Sequence, residues 1–268
     1  MRYRAPLAAL AMTALAAAAV AQPKSDLAVF AAGSLRPPLT EIAKAFEAKQ
    51  SGRRVVLTFG PSGSLKERIQ GGERADVFAS ANMEHPQALA AAGKAGEVRR
   101  FARNALCALA NSNAAVTPET LVDRMLDTSV KLGTSTPKSD PSGDYAWMMF
   151  ERIEQRGRPG AYKTLAAKAL QLTGGPNSPA PPPGQNVYGA LVASGKADIF
   201  ITYCTNAKLA VQEQPGLHIV AVPESINVSA DYGVATSIET TPLATEFVEF
   251  LLGREGQAIF ARYGFSPP

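Results

Sequence analysis

The chain has 268 residues, which is long enough for one large domain or two lobes around a sizeable core. Its 27 basic and 23 acidic side chains leave a formal net charge of +4 without a run of Lys or Arg, so we expect no nucleic-acid partner. Its two histidines have no metal-like spacing to Cys, Asp or Glu, so we expect no zinc or copper site and no cofactor.

The first 21 residues are predicted to be a cleavable signal peptide. Arg2 and Arg4 form a short basic segment, residues 7–20 are rich in Ala and Leu, and Ala19-Val20-Ala21 is a small-x-small cleavage site. The apolar stretch is too short to span a bilayer as a stable helix. We therefore expect an exported protein that is soluble outside the cytoplasm and begins at Gln22; the alternative is an uncleaved anchor.

The chain after this segment begins with a predicted strand, a tight turn and a helix. Residues 27–32 are an apolar run short enough for a buried strand, and Gly33 and Ser34 interrupt it. Apolar residues then recur every three or four positions up to Phe46, which is typical of an amphipathic helix. This layout places the Ser34 hydroxyl and the free N–H groups of the helix start at one end of the sheet, where they can hold an anion.

A second unit of the same design covers residues 55–69. An apolar strand is followed by a Gly- and Ser-rich turn that contains Ser62, and then by a helix that starts near Leu65. Two serines at two helix starts suggest that both hydroxyls bind one oxyanion from different sides. The alternative is that Ser34 and Ser62 only cap their helices.

Alternating strands and helices continue along the chain and predict an α/β fold. A third strand over residues 75–81 completes a β-α-β-α-β order, for which right-handed crossovers give a parallel sheet with helices on both faces. Ligands of such sheets bind beyond the carboxyl ends of the strands. Further strands are predicted at residues 104–110, 130–135, 197–203, 217–222 and 232–236, and further helices at 82–93, 117–125, 145–156, 161–172, 187–194, 242–252 and 255–263.

These segments form two sets, which we interpret as two lobes with a cleft between them. The first lobe is predicted to comprise residues 26–103 plus 231–268, and the second lobe residues 104–230. Asn186 is predicted to cap the helix at 187–194, and residues 173–185 to form a proline-stiffened loop. Inter-domain clefts are favoured ligand sites.

The chain contains two cysteines, Cys107 and Cys204. Both lie in apolar, strand-like runs, which would suit two buried free thiols. In an oxidising compartment they can pair instead, and we favour a disulfide.

Several segments in this order resemble the periplasmic molybdate-binding proteins of ABC importers, which have the type II periplasmic binding fold. The segments are VFAAGSL, FGPSGSLKERIQGG, ADVFASA, NVYGALVASGKADIFITY and FLLGREGQAIFARYGF. Together they span nearly the whole mature chain. The opening AAGSL and the terminal ARYGF are the most specific among them.

The resemblance implies a binding protein that captures molybdate, with tungstate a further candidate, and delivers it to an ABC transporter permease as a monomer. Neutral donors would hold the oxyanion, and no residue would contact the metal atom directly. The implied donors are the hydroxyls of Ser34, Ser62 and Tyr203 and the backbone N–H groups of Ser142 and Val187.

Departures from the family pattern leave other ligands open. Ser142 stands where a small apolar residue is usual, Gly63 stands where a hydroxyl residue is common, and the proline-rich loop is unlike that of common members. The alternatives are another oxyanion, such as sulfate or phosphate, or a small carboxylate. An unpaired carboxylate in the pocket would favour a protonated ligand, and Asp140 and Asp144 flank Ser142.

A secreted serine hydrolase is the alternative from a different class. Such an enzyme would use Ser34 or Ser62 as nucleophile and needs a base within reach. His85 and His218 are the two candidates for that base, and neither has a triad-like spacing. The chain also lacks a G-x-S-x-G nucleophile motif.

Overall fold

The computed structural model describes residues 26–50, 52–179 and 185–268. The predicted signal peptide lies outside the described residues, as do residues 180–184 of the proline-rich loop. The strands are β1 Leu27–Ala32, β2 Val55–Gly60, β3 Val77–Ser80, β4 Arg99–Asn111, β5 Leu132–Ser135, β6 Leu170–Thr173, β7 Ile199–Tyr203, β8 Leu217–Ala221 and β9 Ser229–Thr236. The helices are α1 Arg36–Glu47, α2 Ser62–Gln70, α3 Glu84–Ala91, α4 Leu121–Leu126, α5 Pro141–Gln155, α6 Ala161–Lys168, α7 Val187–Ala193, α8 Cys204–Glu213, α9 Pro242–Leu252 and α10 Arg254–Arg262.

The first lobe is built on the sheet β2-β1-β3-β9. Strand β1 pairs in parallel with β2 and β3, and β9 closes the set antiparallel to β3. The helices α1 and α2 make the crossovers between the parallel strands, as the β-α-β-α-β pattern predicted. Their N-termini therefore lie at the same edge of the sheet.

The second lobe repeats this arrangement with its own parallel strands. Strand β5 pairs in parallel with β6 and β7, and β4 runs antiparallel to both β7 and β8. Helix α5 begins shortly after β5, helix α7 lies between β6 and β7 in the chain, and helix α8 begins directly after β7. Helix starts of this lobe therefore also gather at one sheet edge.

Two strands connect the lobes. The first part of the 13-residue β4 pairs with β9, from Arg99 to Ala105, and its second part pairs with β7 and β8, from Leu106 to Asn111. The predicted lobe boundaries fall within β4 and β9. The result is one curled sheet of nine strands that carries a lobe at each end.

The C-terminal helices pack on the first lobe. The Phe46 ring of α1 lies 5.2 Å from the Phe247 ring of α9. The Phe260 ring of α10 lies 5.3 Å from the Phe101 ring of β4, and the Phe265 ring lies 5.4 Å from the Tyr232 ring of β9. Aromatic rings of the C-terminal segment therefore pack on both connecting strands. Among the described residues, no helix is long and apolar enough to cross a membrane.

The structure corrects several predicted helix bounds. The predicted helix at 161–172 is wrong in its last part, because α6 ends at Lys168 and residues 170–173 are the edge strand β6 beside β5. That stretch has a helix-like spacing of apolar residues, and strand pairing overrides it. Residues 204–206, predicted to end a strand, begin α8 instead, and α5 begins at Pro141 rather than at Tyr145.

Candidate functional site

A cleft of about 720 Å³ opens where the two lobes meet. From the first lobe it is lined by the ends of β1 and β2 and by the helix starts that follow them. From the second lobe it is lined by residues 173–175, the starts of α7 and α8, and parts of their neighbouring loops. A crevice at the carboxyl ends of parallel strands is where α/β sheets bind ligands.

Ser34 lies on the short 3-10 turn after β1 and lines this cleft. Its Oγ is 3.0 Å from the hydroxyl of Tyr232, a fully buried residue of β9. Burial raises the pKa of Tyr232, which therefore keeps its proton, and Asn104 Nδ2 lies 3.5 Å from the same hydroxyl as a donor. Asn104 can only donate there, whereas the Tyr232 hydroxyl can donate to Ser34 or accept from it; when Tyr232 donates, the Ser34 proton is free for a ligand.

Ser62 is the first residue of α2, and its side chain is fully buried at the cleft wall. Its Oγ accepts a hydrogen bond from the backbone N–H of Ala81 at 3.1 Å. Its oxygen is thus matched to a fixed donor, and its proton can point to a ligand. Neither hydroxyl caps a helix, so the capping interpretation of the two serines is wrong.

Tyr203 ends β7 and faces the same cleft with only 1% of its surface exposed. Its hydroxyl has no hydrogen-bond partner among the described residues, and burial raises its pKa, so it is a protonated donor without an acceptor. The next residue, Cys204, is bonded to Cys107 of β4, with the two Cα atoms 4.8 Å apart. The disulfide therefore ties the end of β7 to the connecting strand.

Val187 is the first residue of α7 and also lines the cleft. The helix is capped as predicted, since Asn186 Oδ1 accepts from the N–H of Gly189 at 3.0 Å. Asn186 Nδ2 also donates to the backbone oxygen of Asn206 at 3.2 Å, which joins the starts of α7 and α8. Within the described part of the chain the Val187 N–H has no hydrogen-bond acceptor, so it remains available to a ligand.

Ser142 is the one predicted site residue that does not line the cleft. Its side chain is fully buried, and its hydroxyl has no partner among the described residues. Its backbone N–H donates to Asp140 Oδ1 at 3.0 Å, so the carboxylate of Asp140 occupies the donor that was assigned to the anion. Asp140 itself lines the cleft. Burial raises the pKa of the Asp140 carboxyl to about 6, and the charge of Asp144 adds to that rise.

Fixed charges lie at the rim of the cleft. The guanidinium of Arg36, an exposed residue, lies over the Phe59 ring with Cζ 4.5 Å from its centroid. Across the cleft, Glu213 accepts from the backbone N–H of Asn186 at 2.6 Å. The donors of Ser34, Ser62, Val187 and Tyr203 are all uncharged, so this group of donors can hold an anion without a buried countercharge.

The two lobes touch beside the cleft. The N–H of Gly63 in α2 donates to the backbone oxygen of Ser139 at 2.9 Å, and the hydroxyls of Ser64 and Ser139 lie 3.1 Å apart. A Cβ on Gly63 would lie 2.8 Å from that same Ser139 oxygen and still closer to the oxygen of Lys138. The glycine that departs from the family pattern is therefore required by this contact.

The structure also tests two other kinds of site, a serine-hydrolase active site and a metal site. Neither histidine lines the cleft in the described ranges, and burial lowers the pKa of His85 to about 4. The two histidines that the sequence offered as a base therefore do not face Ser34 or Ser62 there. Among residues 26–50, 52–179 and 185–268, no three His, Cys, Asp or Glu side chains group together as ligands of a metal ion.

Sequence reasoning missed Tyr232 and Ala81, which hydrogen-bond to the two serine hydroxyls, and Asn104, which donates to Tyr232. Tyr232 lies in a predicted strand, but 198 positions separate it from Ser34 and no local pattern links the two. Asp140 was noted in the sequence, together with Asp144, as a carboxylate beside Ser142 that could favour a protonated ligand, but its place in the cleft lining was not predicted.

Comparison with known proteins places the chain in a family. Residues 27–266 match the family described as bacterial extracellular solute-binding proteins. An uncharacterized protein of Pasteurella multocida is 36% identical over 242 residues, which cover 89% of this chain and 98% of that protein. The molybdate-binding protein ModA of Escherichia coli is 30% identical over 259 residues, which cover 91% of this chain and 90% of that protein.

A solved structure has the same architecture. The periplasmic molybdate-binding protein of Azotobacter vinelandii superposes with a TM-score of 0.71 at 22% identity, covering 91% of this chain and all of the other. At that identity the likeness concerns the fold alone. The two lobes, the crossing strands and the cleft are those of the type II periplasmic binding fold, and the chain belongs to the family of bacterial extracellular solute-binding proteins.

Proposed function

We propose that this protein captures a tetrahedral oxyanion, molybdate in the first place and tungstate with it, and delivers it to the permease of an ABC importer. The observation that carries the proposal is the pair of serine hydroxyls at the cleft. The Ser62 oxygen accepts from the Ala81 N–H, which leaves its proton for a ligand. The Ser34 oxygen lies 3.0 Å from the Tyr232 hydroxyl, which can donate to it and so leave the Ser34 proton for the same ligand.

The electrostatics of the cleft support an anion. Helix starts from both lobes meet there, and each carries partial positive charge on its free N–H groups. Hydrogen bonds to an ion are about twice as strong as those between neutral groups. The unpartnered hydroxyl of Tyr203 and the N–H of Val187 add second-lobe donors to the two first-lobe serines. Two lobes that both donate to one ligand favour closure around it.

The relatives support molybdate as the specific ligand. The Escherichia coli relative, named as a molybdate-binding protein, is 30% identical along nine-tenths of both chains. We further propose that the protein is exported. A cleaved segment of 21 residues would place it in the periplasm, where the Cys107–Cys204 disulfide is stable. We propose a monomer that carries no cofactor other than its ligand.

A second candidate ligand follows from Asp140. A carboxylate that lines the cleft accepts hydrogen bonds and cannot donate them when it is ionised. An oxyanion that carries its own proton, such as hydrogen phosphate, would meet Asp140 as a donor. Phosphate is therefore the alternative to molybdate that a specific contact favours.

The experiment is a thermal shift and titration of the mature protein, freed of ligand, with molybdate, tungstate, sulfate, phosphate and small carboxylates. A ligand at a hundred times its dissociation constant adds about 2.7 kcal/mol to the unfolding free energy, which raises the melting temperature measurably. The shift is expected with molybdate and tungstate and is expected to vanish when Ser34→Ala is combined with Ser62→Ala. Ser112→Ala, at an exposed position outside the cleft lining, is the matched control. A shift with none of these anions would refute the proposal.

A further inference from the structure

Asp140 places a carboxylate where an oxyanion site needs only donors. It is the N-cap of the 15-residue helix α5, and its Oδ1 accepts from the Ser142 N–H at 3.0 Å. Its other oxygen packs against Gly174, where a Cβ would lie 2.5 Å from Oδ2. The lack of a side chain at Gly174 therefore makes room for the carboxylate beside the cleft that both residues line.

The groups around Asp140 do not neutralise it. In the described part of the chain no Lys or Arg forms a salt bridge to this carboxylate. The carboxyl of Asp144, one helical turn away, repels it and is itself held by the N–H of Lys138 at 2.7 Å. The remaining titratable or charged groups near Asp140 or on the cleft are Tyr188 of α7, Tyr203 of β7, Glu213 of α8 and Arg36 of α1.

A bare dianion in this cleft would therefore face an ionised carboxylate. Two oxygen acceptors cannot form a hydrogen bond without a proton between them, and two negative groups that share one site hold a proton more tightly than either alone. Burial already favours the protonated form of Asp140, whose pKa is raised to about 6. An oxyanion in the cleft adds a second negative charge and strengthens this preference.

We propose that Asp140 is a specificity-determining residue, and that the cleft takes up its tetrahedral oxyanion together with one proton shared between Asp140 and a ligand oxygen. This inference rests on the proposed function and adds a selection rule to it. Molybdate, tungstate and sulfate, which are dianions near neutral pH, take the proton from solvent. Hydrogen phosphate brings its own proton, so its binding needs no uptake.

The rule has a direct thermodynamic signature. Above the pKa of Asp140, each molybdate that binds removes one proton from solution, and its dissociation constant rises tenfold per pH unit. In Asp140→Asn the amide oxygen can still accept from the Ser142 N–H, so the helix cap is retained, and the amide NH₂ donates to the anion at any pH. Molybdate binding to this variant is expected to take up no proton and to lose its pH dependence.

The test is isothermal titration of the ligand-free protein with sodium molybdate and, separately, with sodium phosphate, between pH 6 and pH 8.5. Titrations in buffers of different ionisation enthalpy count the protons taken up. Well above pH 6, about one proton per molybdate is expected for the wild type, and the uptake should fall to about half a proton at pH 6 because Asp140 is then already half protonated. No uptake is expected at any pH for Asp140→Asn, which should bind molybdate at least tenfold more tightly than the wild type at pH 8. Asp144→Asn is the matched control, because its carboxyl does not line the cleft, and it should keep the uptake.

The outcomes separate the two proposals. Molybdate binding without proton uptake in the wild type, or uptake that persists in Asp140→Asn, overturns the role of Asp140 and leaves the proposed function intact. Phosphate binding that weakens in Asp140→Asn, with molybdate bound only by that variant, upholds the role of Asp140 and changes the natural ligand. Absence of binding by either anion in the wild type and in Asp140→Asn overturns both proposals.

Discussion

Closure of the two lobes can be tested at Gly63, which follows Ser62 but does not itself line the cleft. The substitution Gly63→Ala places a methyl group 2.8 Å from the backbone oxygen of Ser139, where ordinary contacts lie at 3.4–4 Å. The methyl group would lie still closer to the backbone oxygen of Lys138. Both oxygens belong to the backbone, so neither can rotate away as a side chain could. The lobes must separate by at least about half an ångström at this point, while the α2 helix gains up to about 1 kcal/mol from the loss of a glycine.

The expected loss can be estimated from the contacts that the separation breaks. These are the hydrogen bond from the Gly63 N–H to Ser139 at 2.9 Å and the Ser64–Ser139 hydroxyl contact at 3.1 Å. At about 0.5–1.5 kcal/mol each, their loss destabilises the closed state by about 1–3 kcal/mol. Because the ligand binds the closed state, its dissociation constant should rise roughly 5- to 160-fold.

Titration calorimetry with the anion that binds the wild type measures this effect, and urea unfolding without ligand measures the stability of the lobes. Gly216→Ala is the control, since a Cβ there meets nothing within 4 Å. We expect weaker binding with unchanged or higher stability for Gly63→Ala and no change in binding for the control. Equal affinity in Gly63→Ala and the wild type would refute the argument that this contact belongs to the ligand-bound form.

Three further outcomes are expected. Tyr232→Phe removes the hydroxyl that faces Ser34, so anion affinity measured by titration calorimetry should fall roughly two- to twelvefold. An unchanged affinity would contradict a hydrogen bond from Tyr232 to Ser34 in the ligand-bound protein. Reduction of the Cys107–Cys204 bond, which joins residues 97 positions apart, should lower the unfolding free energy in urea by about 2–5 kcal/mol, and an unchanged midpoint would contradict this. The raised pKa of Asp140, about 6, means that the folded state binds its proton more tightly than the unfolded state. The free energy of unfolding of the wild type should therefore fall, relative to that of Asp140→Asn, by up to about 3 kcal/mol as the pH rises from 4 to 7. Urea unfolding without ligand measures this difference, and parallel pH curves for the two proteins would refute it.

The local units of the fold were predictable because they depend on residues a few positions apart. The apolar run at residues 27–32, the break at Gly33 and Ser34, and the periodic residues up to Phe46 were predicted as strand, turn and helix, and the structure confirms them. The Asn186 cap was predicted for the same reason, since its hydrogen bond reaches only three residues ahead.

Predictions failed where a neighbouring element decides the structure. Leu170 and Leu172 continue a helical spacing, yet β5 recruits them as an edge strand. Cys204 begins a helix without any turn residue between it and β7, so no local signal marked the change. In both cases contacts between distant segments outweighed the preference of the segment itself.

For the site, the order of residue types was enough to predict candidate donors and to predict that helix starts meet at the sheet edges, because right-handed helical crossovers between parallel strands put them there. The surroundings of those donors could not be predicted, because they depend on contacts between distant segments. Three such contacts join segments far apart in the chain or depend on a side chain's direction: the hydrogen bond between Ser34 and Tyr232, the contact of Gly63 with Ser139 and the place of Asp140 in the cleft lining. Hydrogen bonds are directional, so these placements, and not the residue types alone, govern how the cleft can hold a ligand.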